Sequence, residues 1–226
     1  MSHLLVDGPA PLLVVPAIAA LAVWRRAVDV GGAVAGCAVA TAMALGAGWA
    51  GVAMLFALLA IGTAVTPHGG ARRNAVQVLA NGGVAGAAAL AAACGAAAGV
   101  AAAAGALAAA LSDTVSSELG KRFGGAPRAM LLGRAMARGA DGGMTWTGTA
   151  LGVAGALPVP IAGLALGALP GPRAALGVAV AGLLGNLLDS AFGLLVQPRL
   201  GPRGNDWCNL FATACGALSG ALLTSP

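Results

Sequence analysis

The stretch VGGAVAGCAVATAMALGAGWAGVAMLFALLAIGTAVTPHGGA, from Val30 to Ala71, holds no Asp, Glu, Lys or Arg. It is long enough for two bilayer crossings of about 20 residues each, divided by a glycine-rich turn near its middle. A second uncharged stretch, Asn74 to Ser112, has room for two more, and Gly142 to Pro172 and Trp207 to Pro226 continue the pattern. Of 226 residues, 59% are hydrophobic and 37 are Gly, while only 8% are charged, against about 25% in soluble domains. A soluble globular domain is excluded. The fold class is an all-α, polytopic transmembrane helical bundle of seven or eight spans, one integral membrane domain over residues 1–226.

The expected spans are 9–24, 31–47, 49–66, 76–95, 97–117, 143–168, 174–196 and 207–224. MSHLLVDGPAP carries no Lys or Arg ahead of its first apolar stretch, so a secretory leader is not expected and that segment reads as a span. The loops between spans alternate in charge. Arg25 and Arg26, then Arg72 and Arg73, then Lys121, Arg122, Arg128, Arg134 and Arg138, then Arg199 and Arg203 fall on one side, and only Arg173 on the other. The positive-inside rule makes the basic side cytoplasmic, with both termini outside the cell membrane. From Gly83 to Ala110 the chain is almost entirely Ala and Gly, which places the spans 76–95 and 97–117 inside the bundle or in very close contact with neighbours.

Other classes are excluded by what is scarce. The four cysteines form no CxxC pair, so they read as small packing residues. Tyr is absent and aromatic residues make 4%, too few to build stacking platforms for nucleic acid.

Polar groups cluster at the basic ends of the helices. In Ser112-Asp113-Thr114-Val115-Ser116-Ser117-Glu118-Leu119-Gly120, Asp113, Ser116 and Ser117 share a helical face, and Glu118 joins them if the helix unwinds toward Gly120. Carboxylates with nearby hydroxyls are hard oxygen ligands suited to magnesium, whose shell substrate phosphates complete. A helix cap with a solvated Glu is the plainer alternative. Asp141 lies in Gly139-Ala140-Asp141-Gly142-Gly143, where backbone amides can approach an anion or Asp141 can cap the next helix. Asn186 shares a face with Asp189 or Ser190, Asn205 and Asn209 stand one turn apart, and Asn81 with Gly82 forms a polar break in its span. Asp113 and Asp189 fall within spans, where an unpaired carboxylate is costly; function is the default reading and an ion pair with Arg the alternative. His68 is an alternative base or an idle loop histidine. Together these groups form a cytoplasmic pocket bordering the membrane, suited to phosphoryl or nucleotidyl transfer onto a lipid-borne phosphate.

The chain resembles the integral membrane family of phytyl-phosphate kinase and transmembrane protein 19, the domain of unknown function 92 family. The resemblance rests on Gln77-Val78-Leu79-Ala80-Asn81-Gly82-Gly83, Asp113-Thr114 with Ser117-Glu118-Leu119-Gly120, Gly139-Ala140-Asp141-Gly142-Gly143, Gly185, Asp189-Ser190, Gly193 and the segment from Asn209 to Thr213. It implies catalytic motifs between residues 77 and 213. It further implies transfer of a phosphoryl group from a nucleoside triphosphate such as CTP to phytyl or geranylgeranyl monophosphate, an isoprenoid lipid phosphate, giving the diphosphate. Asp113, Glu118, Asp141, Asp189 and Asn209 match the family's motif positions; Thr145 stands where relatives usually carry Ser, and Asn186 where they often carry a smaller residue. On this reading Asp113, Glu118 and Asp189 hold Mg2+, with Asp141 as a further catalytic carboxylate. Arg134 and Arg138, one turn apart if their loop is helical, neutralise phosphates, while Asn81, Ser117, Ser190, Asn205 and Asn209 contact substrate. The alternatives are a lipid-phosphate nucleotidyltransferase and a transporter of a small or lipid solute, and homo-oligomerisation stays open.

Overall fold

A computed structural model describes residues 8–67, 72–130 and 133–224; His3, Asp7 and His68 lie outside them. The helices are α1 (Ala10–Trp24), α2 (Val30–Val65), α3 (Ala75–Ala93), α4 (Gly99–Phe123), α5 (Trp146–Ala165), α6 (Pro172–Leu195) and α7 (Gly204–Thr224). All but α1 are long and apolar enough to cross a bilayer. At about 1.5 Å per residue, α1 falls short of the roughly 30 Å hydrocarbon core, and a turn at Val14 interrupts it. The protein is thus a mostly helical, polytopic membrane protein. One non-helical feature departs from the all-α expectation: β1 (Arg128–Ala129) pairs antiparallel with β2 (Gly143–Met144) between α4 and α5.

Helix α2 is two helices folded on one another. Ala47 and Gly48 leave helical geometry, and Gly48 takes φ 55°, a left-handed conformation that costs glycine nothing. A Cβ added at Gly51 would collide with the carbonyl of Met43, although eight residues of continuous helix would separate the two by about 12 Å. Arg73 touches both ends of α2: its carbonyl lies against Gly32 near the start, while its guanidinium donates to the carbonyl of Gly62 near the end at 3.1 Å. The halves, α2a (30–46) and α2b (49–65), therefore form a hairpin, divided where the glycine-rich turn was expected.

Caps start the helices on either side of Arg73. Asp29 Oδ1 accepts from the Gly32 amide, and Asn74 and Gln77 form a capping box at the start of α3. Helix α3 then runs unbroken, so Asn81 and Gly82 do not interrupt it; Asn81 bonds back to the Gln77 carbonyl.

Helix α4 is the central strut. In its most apolar window 72% of residues are buried, against 28% for α3, so only one of the two Ala/Gly spans sits inside the bundle. Its small residues let neighbours approach to backbone contact. Gly105 faces Gly216 and Gly220 of α7, Ala108 and Ala109 face Gly182 and Gly185 of α6, and Leu111 and Val115 face Gly155 of α5. Thr213 of α7 donates across to the Ala80 carbonyl of α3 at 3.1 Å.

These contacts gather the charged loops at one end. Gly124 touches Thr145, Gly142 touches Leu194, and Gly204 touches Gln197, whereas the 47–48 turn lies by α3's far end and Leu223 lies by Gly177. Trp24, Trp146 and Trp207 are exposed around the charged end and Trp49 at the opposite one, the positions of two interfacial aromatic belts.

Arg26 ends α1 in a Schellman motif, with the amides of Arg26 and Ala27 on the carbonyls of Val23 and Ala22, and its φ of 57° is the glycine region. Arg26→Gly is expected to stabilise the protein by about 1 kcal/mol, raising its melting temperature in detergent by a few degrees.

Candidate functional site

The lower half of α4 separates two cavities at the charged end. The helix stays helical to Phe123, with no unwinding at Gly120. The three- and four-residue steps therefore hold, and Asp113 and Ser117 stand one above the other in the wall between the cavities. Asp113, Ser117, Lys121 and, from the start of α7, Asn205 line both.

The first cavity measures about 350 Å³ and has two characters. Its polar part is lined by Arg73, Gln77, Asn81, Thr114, Glu118 and Asn209; its apolar part runs between α1 and the α2 hairpin past Ile18, Gly36, Cys37, Ala40 and Phe56. Arg73 is anchored by bonds to Thr63 Oγ1 at 3.3 Å, Thr66 Oγ1 at 3.0 Å and the Gly62 carbonyl. Burial lowers its pKa and the Glu118 carboxylate raises it again, so the guanidinium remains a fixed positive charge at neutral pH. Glu118 also pairs with Lys121 at 3.9 Å, a partly exposed contact of little energetic weight.

The second cavity measures about 140 Å³ and is mainly polar. The Gly139–Gly143 loop lines it together with Asp189 and Ser190 of α6. Asp141 does not cap α5; Thr145 does, accepting from the Gly148 amide at 2.9 Å, a task for which either hydroxyl residue serves. Asp141 instead accepts from Gln197 Nε2 at 2.8 Å. Gly142 packs against the backbone of Leu194 at φ 72°, where a side chain would have neither the space nor the conformation. Arg138 ties the loop to α4 through the carbonyls of Lys121 and Gly124, at 3.2 and 3.1 Å. Asn186 is buried and serves packing: it donates to Ser112 Oγ at 3.0 Å, which donates to the Gly152 carbonyl at 2.9 Å, joining α6, α4 and α5.

Among the described residues, no group of three His, Cys, Asp or Glu side chains converges as a metal cage. Glu118 borders the first cavity only and Asp189 the second only, with Asp113 on both. Neither Asp113 nor Asp189 has an ion-pair partner among the described residues, and Asp189 Oδ1 is buried without a hydrogen-bond partner there. Magnesium fits such a pair, because it binds through one or two carboxylates plus substrate phosphates rather than a complete protein cage.

Residues 13–209 match the family model described as integral membrane protein DUF92. The chain belongs to this DUF92 family. It is 35% identical over 108 residues to an uncharacterized membrane protein of Methanocaldococcus jannaschii, an alignment covering 48% of this chain and 44% of that protein. The chain thus spans less than half the length of the curated relative it matches. No solved structure matches the chain.

The DUF92 match encloses both cavities' polar residues. Of the candidates named from sequence, Asp113, Glu118, Asp141, Asp189, Asn81, Ser117, Arg138, Ser190, Asn205 and Asn209 all line one cavity or both. Arg134 lines neither. Its loop is not helical: Ala135 forms an isolated bridge to Arg128 and the Arg134 carbonyl accepts from the Ala129 amide, so Arg134 is exposed and is not one turn from Arg138. Sequence reading misses Arg73 and Gln197, whereas Lys121, the chain's single lysine, is among the cations it assigns to phosphate. Arg73 reads only as loop charge, and no local signal distinguishes it from the exposed Arg72 beside it.

Proposed function

We propose that this DUF92 protein is a magnesium-dependent prenyl-phosphate kinase of the cell membrane, its charged end in the cytoplasm. It transfers the terminal phosphoryl group of a nucleoside triphosphate, CTP or a relative, to phytyl or geranylgeranyl monophosphate. The supporting observation is the meeting of two unlike cavities at Asp113, Ser117, Lys121 and Asn205. One cavity combines an apolar arm with a fixed arginine, the chemistry of a lipid phosphate; the other combines a glycine loop, Arg138 and carboxylates, the chemistry of a bound polyphosphate.

On this reading the acceptor's phosphate lies by Arg73 and Lys121 and the nucleotide's phosphates by the Gly139–Gly143 loop. An acceptor oxygen attacks the γ-phosphorus from the Asp113 side, and the bond to the β–γ bridging oxygen breaks as the new P–O bond forms. The nucleoside diphosphate leaves and the acceptor becomes a diphosphate. An ionised phosphate is already a nucleophile, so no strong base is needed, and positioning with charge neutralisation carries the catalysis. Asp113 and Asp189 would hold Mg2+, which supplies neutralisation of phosphate charge. Lys121 adds a half-exposed cation at the shared wall, and Gln197 orients Asp141.

The deciding test is incubation of detergent-purified protein with Mg2+, each nucleoside triphosphate and geranylgeranyl or phytyl monophosphate. Prenyl diphosphate and nucleoside diphosphate are the expected products. Pyrophosphate release with a nucleotide left on the lipid would establish a nucleotidyltransferase instead, and no nucleotide consumption by folded protein would favour solute transport. Arg73→Gln is expected to raise KM for the prenyl phosphate by about tenfold or more, the weight of one charge-assisted hydrogen bond. The nucleotide KM should stay within about twofold.

A further inference from the structure

Gly36 differs from its neighbours in α2. Gly32 lies against the Arg73 backbone, Gly46 against Ala89 and Gly51 against Met43, so each is there because another backbone comes close. A Cβ added at Gly36 meets nothing within 4 Å, and the residue lines the first cavity. Its small size serves open space rather than packing. Cys37 and Ala40 continue this wall, Phe56 of α2b lines another side, and Ile18 of α1 lines the cavity as well. Helix α1 packs chiefly on α2, so it covers the arm without being wedged into the bundle.

We propose that this arm is a slot for one isoprenoid chain, running from the phosphate position at Arg73 to beneath α1, and that Gly36 sets the bulk of chain it admits. The proposal rests on the prenyl-phosphate reading for the identity of the ligand. Its physical basis is the continuity of one cavity from a fixed guanidinium to a wall of small apolar residues, which suits an amphiphile with a single chain and an anionic head. A two-chain phospholipid has the same head chemistry but twice the apolar bulk.

Cys37 offers a readout that needs no turnover. In a variant keeping only this cysteine (Cys94→Ser, Cys208→Ala, Cys215→Ala), N-ethylmaleimide labelling is followed in detergent without nucleotide. Geranylgeranyl phosphate should slow labelling about fivefold or more by covering the wall, whereas inorganic phosphate and dioleoyl phosphatidate should not. Gly36→Leu, which fills open space and leaves packing intact, should shift the protecting concentration of geranylgeranyl phosphate upward about tenfold. If Cys37 does not react in the free protein, the same comparison is read from ligand-induced rise in melting temperature, expected for the parent and lost in Gly36→Leu. Equal protection by phosphatidate, no protection by geranylgeranyl phosphate, or an unchanged response in Gly36→Leu would each overturn the slot. Protection without nucleotide consumption would keep the slot and remove the kinase reading; consumption without protection would do the reverse.

Discussion

Asp113→Asn is expected to lower kcat for prenyl diphosphate formation by about a thousandfold, to the limit of a thin-layer assay, while the protein stays folded. Among the described residues Asp113 is the one carboxylate that borders both cavities, so on the proposed reading it would face both the attacking phosphate and the departing one. The substitution keeps the shape of the side chain and removes its charge. Asp113 has no ion-pair partner among the described residues, so removing its charge removes the cost of holding an unpaired carboxylate within a membrane-spanning helix. The melting temperature in detergent should therefore be unchanged or higher. A large activity loss with no loss of stability marks a residue held for chemistry at a structural cost. If Asp113→Asn retained activity within about tenfold of the parent, the shared wall would not be the reaction centre.

Gly216→Leu is expected to destabilise the protein by about 3 kcal/mol, a fall in melting temperature of roughly 10 °C. A Cβ at Gly216 would stand 2.6 Å from the Gly105 carbonyl and 2.7 Å from Ala109 Cβ, both belonging to central α4. Because the obstacle is largely backbone, no rotamer change relieves it, and α7 must move away from α4. That motion also carries Asn205 and Asn209 away from Asp113, so residual activity should fall further than the folded fraction does. Size-exclusion profiles and thermal melts of the purified variant check the first effect, and activity per folded molecule checks the second. Wild-type stability in Gly216→Leu would mean that α4 and α7 do not approach this closely.

Much of this architecture was legible along the chain. The uncharged stretches and the basic loops follow from the cost of placing a charge in hydrocarbon, which acts on each residue separately and so leaves a mark in the sequence. The division of 30–65 at Ala47 and Gly48 was legible for a similar reason: a tight reversal needs a residue free to adopt positive φ, and glycine supplies it. The polar clusters on the ends of α4, α6 and α7 could likewise be named, because helical spacing places them on single faces.

Tertiary structure alone decided which of those faces meet. Asp189 and Glu118 look equivalent as partners for Asp113 in sequence, yet they border different cavities, because α4 stays helical past Gly120 and keeps Glu118 turned toward Arg73. Arg134 and Arg73 look equally like loop charge, yet one is exposed on a non-helical loop and the other is anchored in a cavity wall by the ends of a helical hairpin. The central place of α4 and the outer place of α3 are also invisible in their shared richness in Ala and Gly. Local composition sets what each segment can tolerate; which groups share a cavity depends on backbones meeting across separations such as the 133 residues between Thr213 and Ala80, and no periodicity along the chain encodes that meeting.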